Sequence, residues 1–344
     1  MTSSERIAVL GAGSWGATLA GLLADKGQEV ALWEIDPKAA QQLDTTRRLA
    51  TLPDLALPPS VKVSATMADV LRNCGIIVSA TPTHFVRATM KTARGTGALN
   101  PHALIVSVSK GLEEKTLKQM SEVIEEELGI ARSQIAVLGG PSHAEEVCRR
   151  IPTLTVIAGS DVSHIQRLQK VFQREFFRVY IHSDMMGVEI SGALKNIFAI
   201  ASGISDGLGY GDNTRAALLT RGLNEMTRIG VKMGAQRLTF FGLAGMGDLM
   251  VTCLSRHSRN WQLGHKIGLG KTPGEALAEM TMVAEGFKTA PSAHQLAQRL
   301  GLDCPLTREI YDVLYGNKDP RTSLHDLMRR ETYTEWQGLP EEMV

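Results

Sequence analysis

Short, unbroken apolar runs punctuate the first half of the chain. Arg6–Leu10, Glu29–Trp33, Ile76–Ala80, Leu104–Ser107, Ile135–Gly139, Thr153–Ala158 and Phe177–His182 each have the length and continuity of a strand buried on both faces. Between them lie stretches of helical character, Trp15–Lys26 stopped by Gly27, Thr116–Leu128 and Ser163–Phe172. Strand and helix in alternation predict a parallel sheet covered on both sides, an α/β doubly wound arrangement. Past Asp184 the pattern turns helical, with small residues throughout and only one short apolar run, Leu238–Leu243. The boundary is therefore placed there, giving an α/β domain over 1–184 and an all-helical domain over 185–344. At 344 residues the chain can supply two cores of about 150 residues each.

The first strand runs into Gly11-Ala12-Gly13-Ser14-Trp15-Gly16. In Gly-x-Gly-x-x-Gly the first glycine permits a tight turn, the second lets backbone approach a pyrophosphate, and the third packs helix on strand. Alone the pattern is common, but here it follows a strand, opens a helix and precedes a second strand ending at Glu34, where an acidic side chain can meet the adenosine ribose. The first domain is accordingly read as a dinucleotide-binding Rossmann domain. A carboxylate at Glu34 would repel a 2′-phosphate, which favours NAD over NADP.

The helical half opens with a long apolar stretch that Asp184 can cap, and Lys195 stands in its middle. Ser191, Gly192, Ala199 and Ser202 share its face, leaving space around the amine. Such a lysine either snorkels to water or serves as a general acid and base. Other residues favour the second reading. Lys110 and Gly140-Pro141-Ser142 follow strands, at the sheet edge where open α/β folds bind ligands. Asp248, in a glycine-rich turn, could orient a lysine. Ser258 reads as an N-cap followed by Arg259 and Asn260; arginine suits a helix start poorly unless an anion such as phosphate binds there. Gly270-Lys271-Thr272 resembles the end of a phosphate-binding P-loop, but His265 occupies the position of its leading glycine.

A formal charge of +1 provides no field to attract nucleic acid. Cys74, Cys148, Cys253 and Cys304 form no Cys-x-x-Cys pair, so neither a metal knuckle nor a disulfide framework is expected. The polar start, Met1 to Glu5, leaves no room for a secretory signal, and no apolar run approaches the ~18 residues of a membrane span. A cytoplasmic protein without metal is expected.

Taken jointly, these motifs resemble the bacterial NAD(P)-dependent glycerol-3-phosphate dehydrogenase family over nearly the whole chain. They include Gly11–Gly16, Ser-Lys-Gly-Leu-Glu at 109–113, Gly-Pro-Ser-His-Ala-Glu-Glu-Val at 140–147 and Ala-Leu-Lys-Asn at 193–196. Gly-Asp-Leu at 247–249, Ser-Arg-Asn at 258–260 and Val-Ala-Glu-Gly at 283–286 complete the set. The resemblance implies reduction of dihydroxyacetone phosphate to sn-glycerol 3-phosphate for phospholipid synthesis. It makes Lys195 the proton donor, Lys110 a polarising group and Asp248 the lysine's holder. Gly140, Ser142, Ser258, Arg259 and Asn260 join these three in binding substrate. Gly11, Gly13, Ser14, Trp15, Gly16, Glu34, Lys110, Ala144, Arg259, Val283 and Glu285 would contact NAD or NADP. A homodimer is expected on the same ground.

Three departures stand out. Glu34-Ile35 replaces a commonly basic position, His143 replaces phenylalanine, and Arg47–Pro59 lacks the usual Asn-x-x-Tyr-Leu-Pro pattern. Two other readings compete. A hydroxyacid or 6-phosphogluconate-type dehydrogenase would share the two domains and the lysine but not Ser258-Arg259-Asn260. A dinucleotide sensor without chemistry would need only the glycine loop.

Overall fold

In the computed structural model, residues 5–280 and 282–331 are described. The chain divides into two compact units. One comprises Met1–Glu113 with Lys118–Glu189, and the other Glu114–Leu117 with Ile190–Val344. The division thus falls a few residues inside the long helix that begins at Met185.

The first unit is an eight-stranded sheet. Its strands are β1 (Arg6–Leu10), β2 (Glu29–Trp33), β3 (Lys62–Ser64), β4 (Ile76–Ser79), β5 (Leu104–Ser107), β6 (Ile135–Gly139), β7 (Thr153–Gly159) and β8 (Phe177–His182). They lie in the order β3-β2-β1-β4-β5-β6-β7-β8. The order reverses between β1 and β4, the switch point beyond whose strand ends ligands bind in such sheets.

The helices of this unit are α1 (Ser14–Ala24), α2 (Pro37–Thr46), α3 (Met67–Leu71), α4 (Val86–Gly95), α5 (Met120–Leu128), α6 (Ala144–Val147) and α7 (Val162–Phe172). Helix α1 packs with α6 and α7, whereas α4 packs with α3 and α5, so each face of the sheet has its own layer. Apart from half-buried Arg6 at the start of β1, the central strands are buried, and all but Ser79 and Ser107 of those buried residues are apolar or glycine, as strands covered twice require.

Three features differ from the sequence expectation, the first being β3, which none of the predicted apolar runs covers. All strand pairs are parallel except β6 with β7. Residues 140–152 hold only the single turn of α6, so the chain turns back at the edge it left by instead of crossing over the sheet. The apolar run Leu238–Leu243 makes no strand. It forms a 3₁₀ turn, Arg237–Phe241, followed by a π turn, Leu243–Gly247.

The second unit is helical: α8 (Met185–Gly207), α9 (Asp212–Lys232), α10 (Asp248–Leu254), α11 (Arg259–Gly268), α12 (Pro273–Ala278), α13 (Glu285–Arg299), α14 (Pro305–Tyr315) and α15 (Pro320–Met328). Asp184 caps α8 by accepting a hydrogen bond from the Gly187 amide at 2.9 Å. Glycines let α8 and α11 approach closely: a Cβ on Gly264 would lie 1.9 Å from the Ile200 carbonyl oxygen, and one on Gly203 2.1 Å from that of Trp261. No helix among the described residues is long and apolar enough to cross a membrane.

Candidate active site

The glycine loop has the shape its sequence requires. Gly11 has φ +111°, and a Cβ there would meet the Ala80 carbonyl oxygen at 2.9 Å. A Cβ on Gly16 would fall 1.9 Å from the Gly11 carbonyl oxygen, so only glycine lets α1 start this close to β1. Gly13 is the opposite case: it is exposed, and nothing lies within 4 Å of where its Cβ would be. It is also the N-cap of α1 and offers no side-chain acceptor to the amides of the first turn. Open space facing uncapped amides at a helix start is an anion cradle, and it fits the pyrophosphate of a dinucleotide. Ser14 and Trp15 form that first turn, with Trp15 half-buried and tilted against Phe177.

Glu34 stands just past β2, its amide bonded to the Ser64 carbonyl. One carboxylate oxygen accepts from the Asp36 amide at 3.1 Å, which fixes the side chain at the mouth of the β2–α2 turn. Ala144, the first residue of α6, is buried.

At the end of β6, Gly140 has φ +106°, which glycine permits, and a Cβ there would press on Thr155 Cα of the returning strand β7, 3.2 Å away. Its carbonyl, turned outward, accepts from Lys110 Nζ at 3.2 Å and from Ser142 Oγ at 2.9 Å. The three residues predicted to face substrate in this unit are thus one hydrogen-bonded group.

In the helical unit, Lys195 does not snorkel. Its side chain is 7% exposed and Asp248, at the start of α10, 2%. Nζ donates to Asp248 Oδ1 at 2.6 Å and to Thr252 Oγ1 at 2.7 Å. The threonine hydroxyl in turn donates to the Asp248 carbonyl at 2.5 Å, so its lone pair is directed at the amine. Burying an ion pair costs several kcal/mol per charge before attraction and hydrogen bonding offset it, so the arrangement is not chosen for stability alone. Neighbouring Cys253 is buried, and burial holds its thiol well above the ordinary range, leaving a neutral group.

Ser258 caps α11, its hydroxyl accepting from the Trp261 amide at 3.2 Å. Arg259 follows, half-buried, with no side-chain hydrogen bond or ion pair among the described residues. Asn260 turns inward: Nδ2 donates to Asn196 Oδ1 at 3.0 Å, and Oδ1 accepts from the Gly286 amide at 2.8 Å. That amide belongs to the first turn of α13, which Glu285 begins. Val283, just before it, is exposed.

Sequence reasoning missed Thr252 and Asn196. The first lies at i+4 from Asp248, a spacing that could have flagged it; the second is simply the residue after Lys195. Among the described residues no three His, Cys, Asp or Glu side chains are grouped to hold a metal.

Comparison with known proteins places this geometry. Residues 6–165 match the family model for the N-terminus of NAD-dependent glycerol-3-phosphate dehydrogenase, and residues 184–325 match the model for its C-terminus. Glycerol-3-phosphate dehydrogenase [NAD(P)+] of Chlorobium phaeobacteroides (strain BS1) is 46% identical over 328 residues, covering 95% of this chain and 98% of that one. The same-named protein of Citrifermentans bemidjiense is 47% identical over 334 residues, covering 96% and 99%. The crystal structure of glycerol-3-phosphate dehydrogenase from Coxiella burnetii superposes with a TM-score of 0.91 at 35% identity, covering 95% of this chain and 99% of that one. The chain belongs to the NAD(P)-dependent glycerol-3-phosphate dehydrogenase family.

Proposed function

We propose that the protein reduces dihydroxyacetone phosphate to sn-glycerol 3-phosphate with a nicotinamide dinucleotide, reversibly, and so supplies glycerophospholipid synthesis. The observation that carries the reading is the buried Lys195–Asp248–Thr252 group, within a chain whose two halves match the two family models.

A bound nicotinamide would supply the hydride for C2 of the substrate; the chain's own residues do the rest. Lys195 donates the proton that the C2 oxygen needs as it becomes an alkoxide. Asp248 holds and aims that amine, and Thr252 fixes its second direction, so the lysine is preorganised before substrate arrives. In the first unit Lys110, Gly140 and Ser142 form the substrate-facing group, with Lys110 as the polarising cation. Arg259 takes the substrate phosphate through its two-pronged guanidinium, with Ser258 and Asn260 beside it.

Gly11, Gly13, Ser14, Trp15 and Gly16 hold the cofactor pyrophosphate, Glu34 its ribose, and Lys110, Ala144, Arg259, Val283 and Glu285 complete its contacts. The fixed carboxylate of Glu34 favours NAD over NADP.

Four free cysteines are consistent with a reducing cytoplasm, where the product would be made. Exposed Leu238, Phe241, Met250 and Leu254 support self-association as a homodimer, which light scattering would test.

The reaction is tested by NADH oxidation with dihydroxyacetone phosphate and, separately, with unphosphorylated dihydroxyacetone. Turnover with the first and a loss of at least about a hundredfold in kcat/KM with the second are expected. Equal rates with both would remove the role given to Arg259.

A further inference from the structure

Helix α13 begins without a cap of its own. Its N-cap is Ala284, whose side chain can accept nothing, yet the first-turn amide of Gly286 is buried and needs an acceptor. Asn260 Oδ1, reaching from α11, supplies it at 2.8 Å. The amide of Asn260 has its orientation set in turn by Asn196 of α8, whose Oδ1 accepts from Asn260 Nδ2 at 3.0 Å. Gly286 is seated tightly there: a Cβ on it would lie 2.5 Å from the Asn196 carbonyl oxygen and 2.9 Å from Asn260 Oδ1.

One side-chain chain therefore links three helices, and each of its members adjoins a residue assigned a role above. Asn196 follows Lys195, Asn260 follows Arg259, and Gly286 follows Glu285.

We infer that Asn196 is a positioning residue for the reduction: through Asn260 it sets where the first turns of α11 and α13, and with them Arg259 and Glu285, stand relative to Lys195. Its side-chain Oδ1 is already committed to Asn260, and its Nδ2 is turned back towards the Gly192 carbonyl of its own helix at 3.4 Å. Without the Asn196 acceptor, Asn260 has a buried N–H to satisfy elsewhere. Rotating its amide to do so withdraws Oδ1 from Gly286. The lysine is untouched, because Asp248 and Thr252 hold it from α10.

The inference rests on the role proposed for Arg259, and the test separates the two. Asn196→Ala, Arg259→Ala and the double variant are assayed with dihydroxyacetone phosphate and NADH. Asn196→Ala should raise KM for the phosphate by about tenfold with kcat within about threefold of the parent, and should add less than about twofold to KM in the Arg259→Ala background.

If Arg259→Ala leaves KM unchanged, the phosphate role itself fails. If Arg259→Ala raises KM but Asn196→Ala does not, or multiplies it independently, positioning through Arg259 is overturned. Should Asn196→Ala not fold, Asn196→Asp takes its place, since it keeps the acceptor and the volume while removing the side-chain N–H. KM within about threefold of the parent supports positioning, and a larger loss assigns Asn196 a direct donor role instead.

Discussion

Replacing Lys195 by methionine separates what the buried ion pair does for stability from what it does for catalysis. The change keeps most of the side-chain volume but leaves the Asp248 carboxylate, 2% exposed, without the amine 2.6 Å away. Stranding one partner of a buried pair costs about 3–5 kcal/mol. For a domain of this size each kcal/mol moves Tm by roughly 2–4 °C, so Lys195→Met should melt on the order of 10 °C below the parent. Activity should fall by about 10²–10⁴-fold in kcat, the range attributed to a positioned general acid.

Adding Asp248→Leu removes the second charge. Thr252 keeps its hydrogen bond to the main-chain carbonyl of residue 248, which does not depend on that side chain. Apolar replacement of a whole buried pair is often neutral, so the double variant should recover most of the lost Tm. It should recover none of the activity.

Thermal melts of the four proteins in the cycle, with initial rates of NADH oxidation, provide the measurement. Additive stability losses would refute the coupling seen in the geometry, and restored turnover in the double variant would refute Lys195 as proton donor.

Two further outcomes follow from other parts of the chain. Glu34→Ala should shrink the preference for NADH over NADPH by about tenfold in kcat/KM, since a carboxylate near a 2′-phosphate is worth on the order of 1 kcal/mol; a parent enzyme that already prefers NADPH would contradict the assignment. Burial pushes the carboxyl of Glu189 up to about 7, although the amide and hydroxyl of Ser121 both donate to it. Its folded pKa lies above the unfolded value, so the native state holds a proton that the unfolded chain releases. The resulting stability is complete below about pH 4.3 and is lost as pH rises through about 7. Glu189→Gln keeps the acceptor for the Ser121 amide and lets the Ser121 hydroxyl turn to accept from Nε2, and it should gain on the parent by up to about 3 kcal/mol between about pH 5 and 8 in denaturant titrations. A pH-independent difference would show that the carboxyl is not titrating there.

Much of the fold is legible where local pattern suffices. The strand, glycine loop and helix at Arg6–Ala24 could be read because each glycine's function is local: a turn, an open cradle and a close helix start. The two edge effects could not. β3 has three half-exposed or exposed residues, too few for any period to show, and the reversal of β7 depends on where the chain goes after α6, not on the strand's composition. Leu238–Leu243 has a strand's hydrophobicity, but Gly242 interrupts it, Gly245 and Gly247 follow closely, and the segment coils.

At the site, Lys195 was conspicuous as a charge on a face of small residues, and Asp248 as a carboxylate among glycines. Their pairing spans 53 positions and is a product of packing. Thr252 and Asn196 are ordinary helical residues by sequence, given meaning only by what α10 and α11 bring beside them.

The central claim is most directly tested by incubating the protein with NADH and dihydroxyacetone phosphate and quantifying the nicotinamide oxidised and the sn-glycerol 3-phosphate formed, beside Lys195→Met. One product per NADH with the parent, and a rate at least about a hundredfold lower with the variant, is the predicted result. No product from the parent, or equal product from both, would contradict the account.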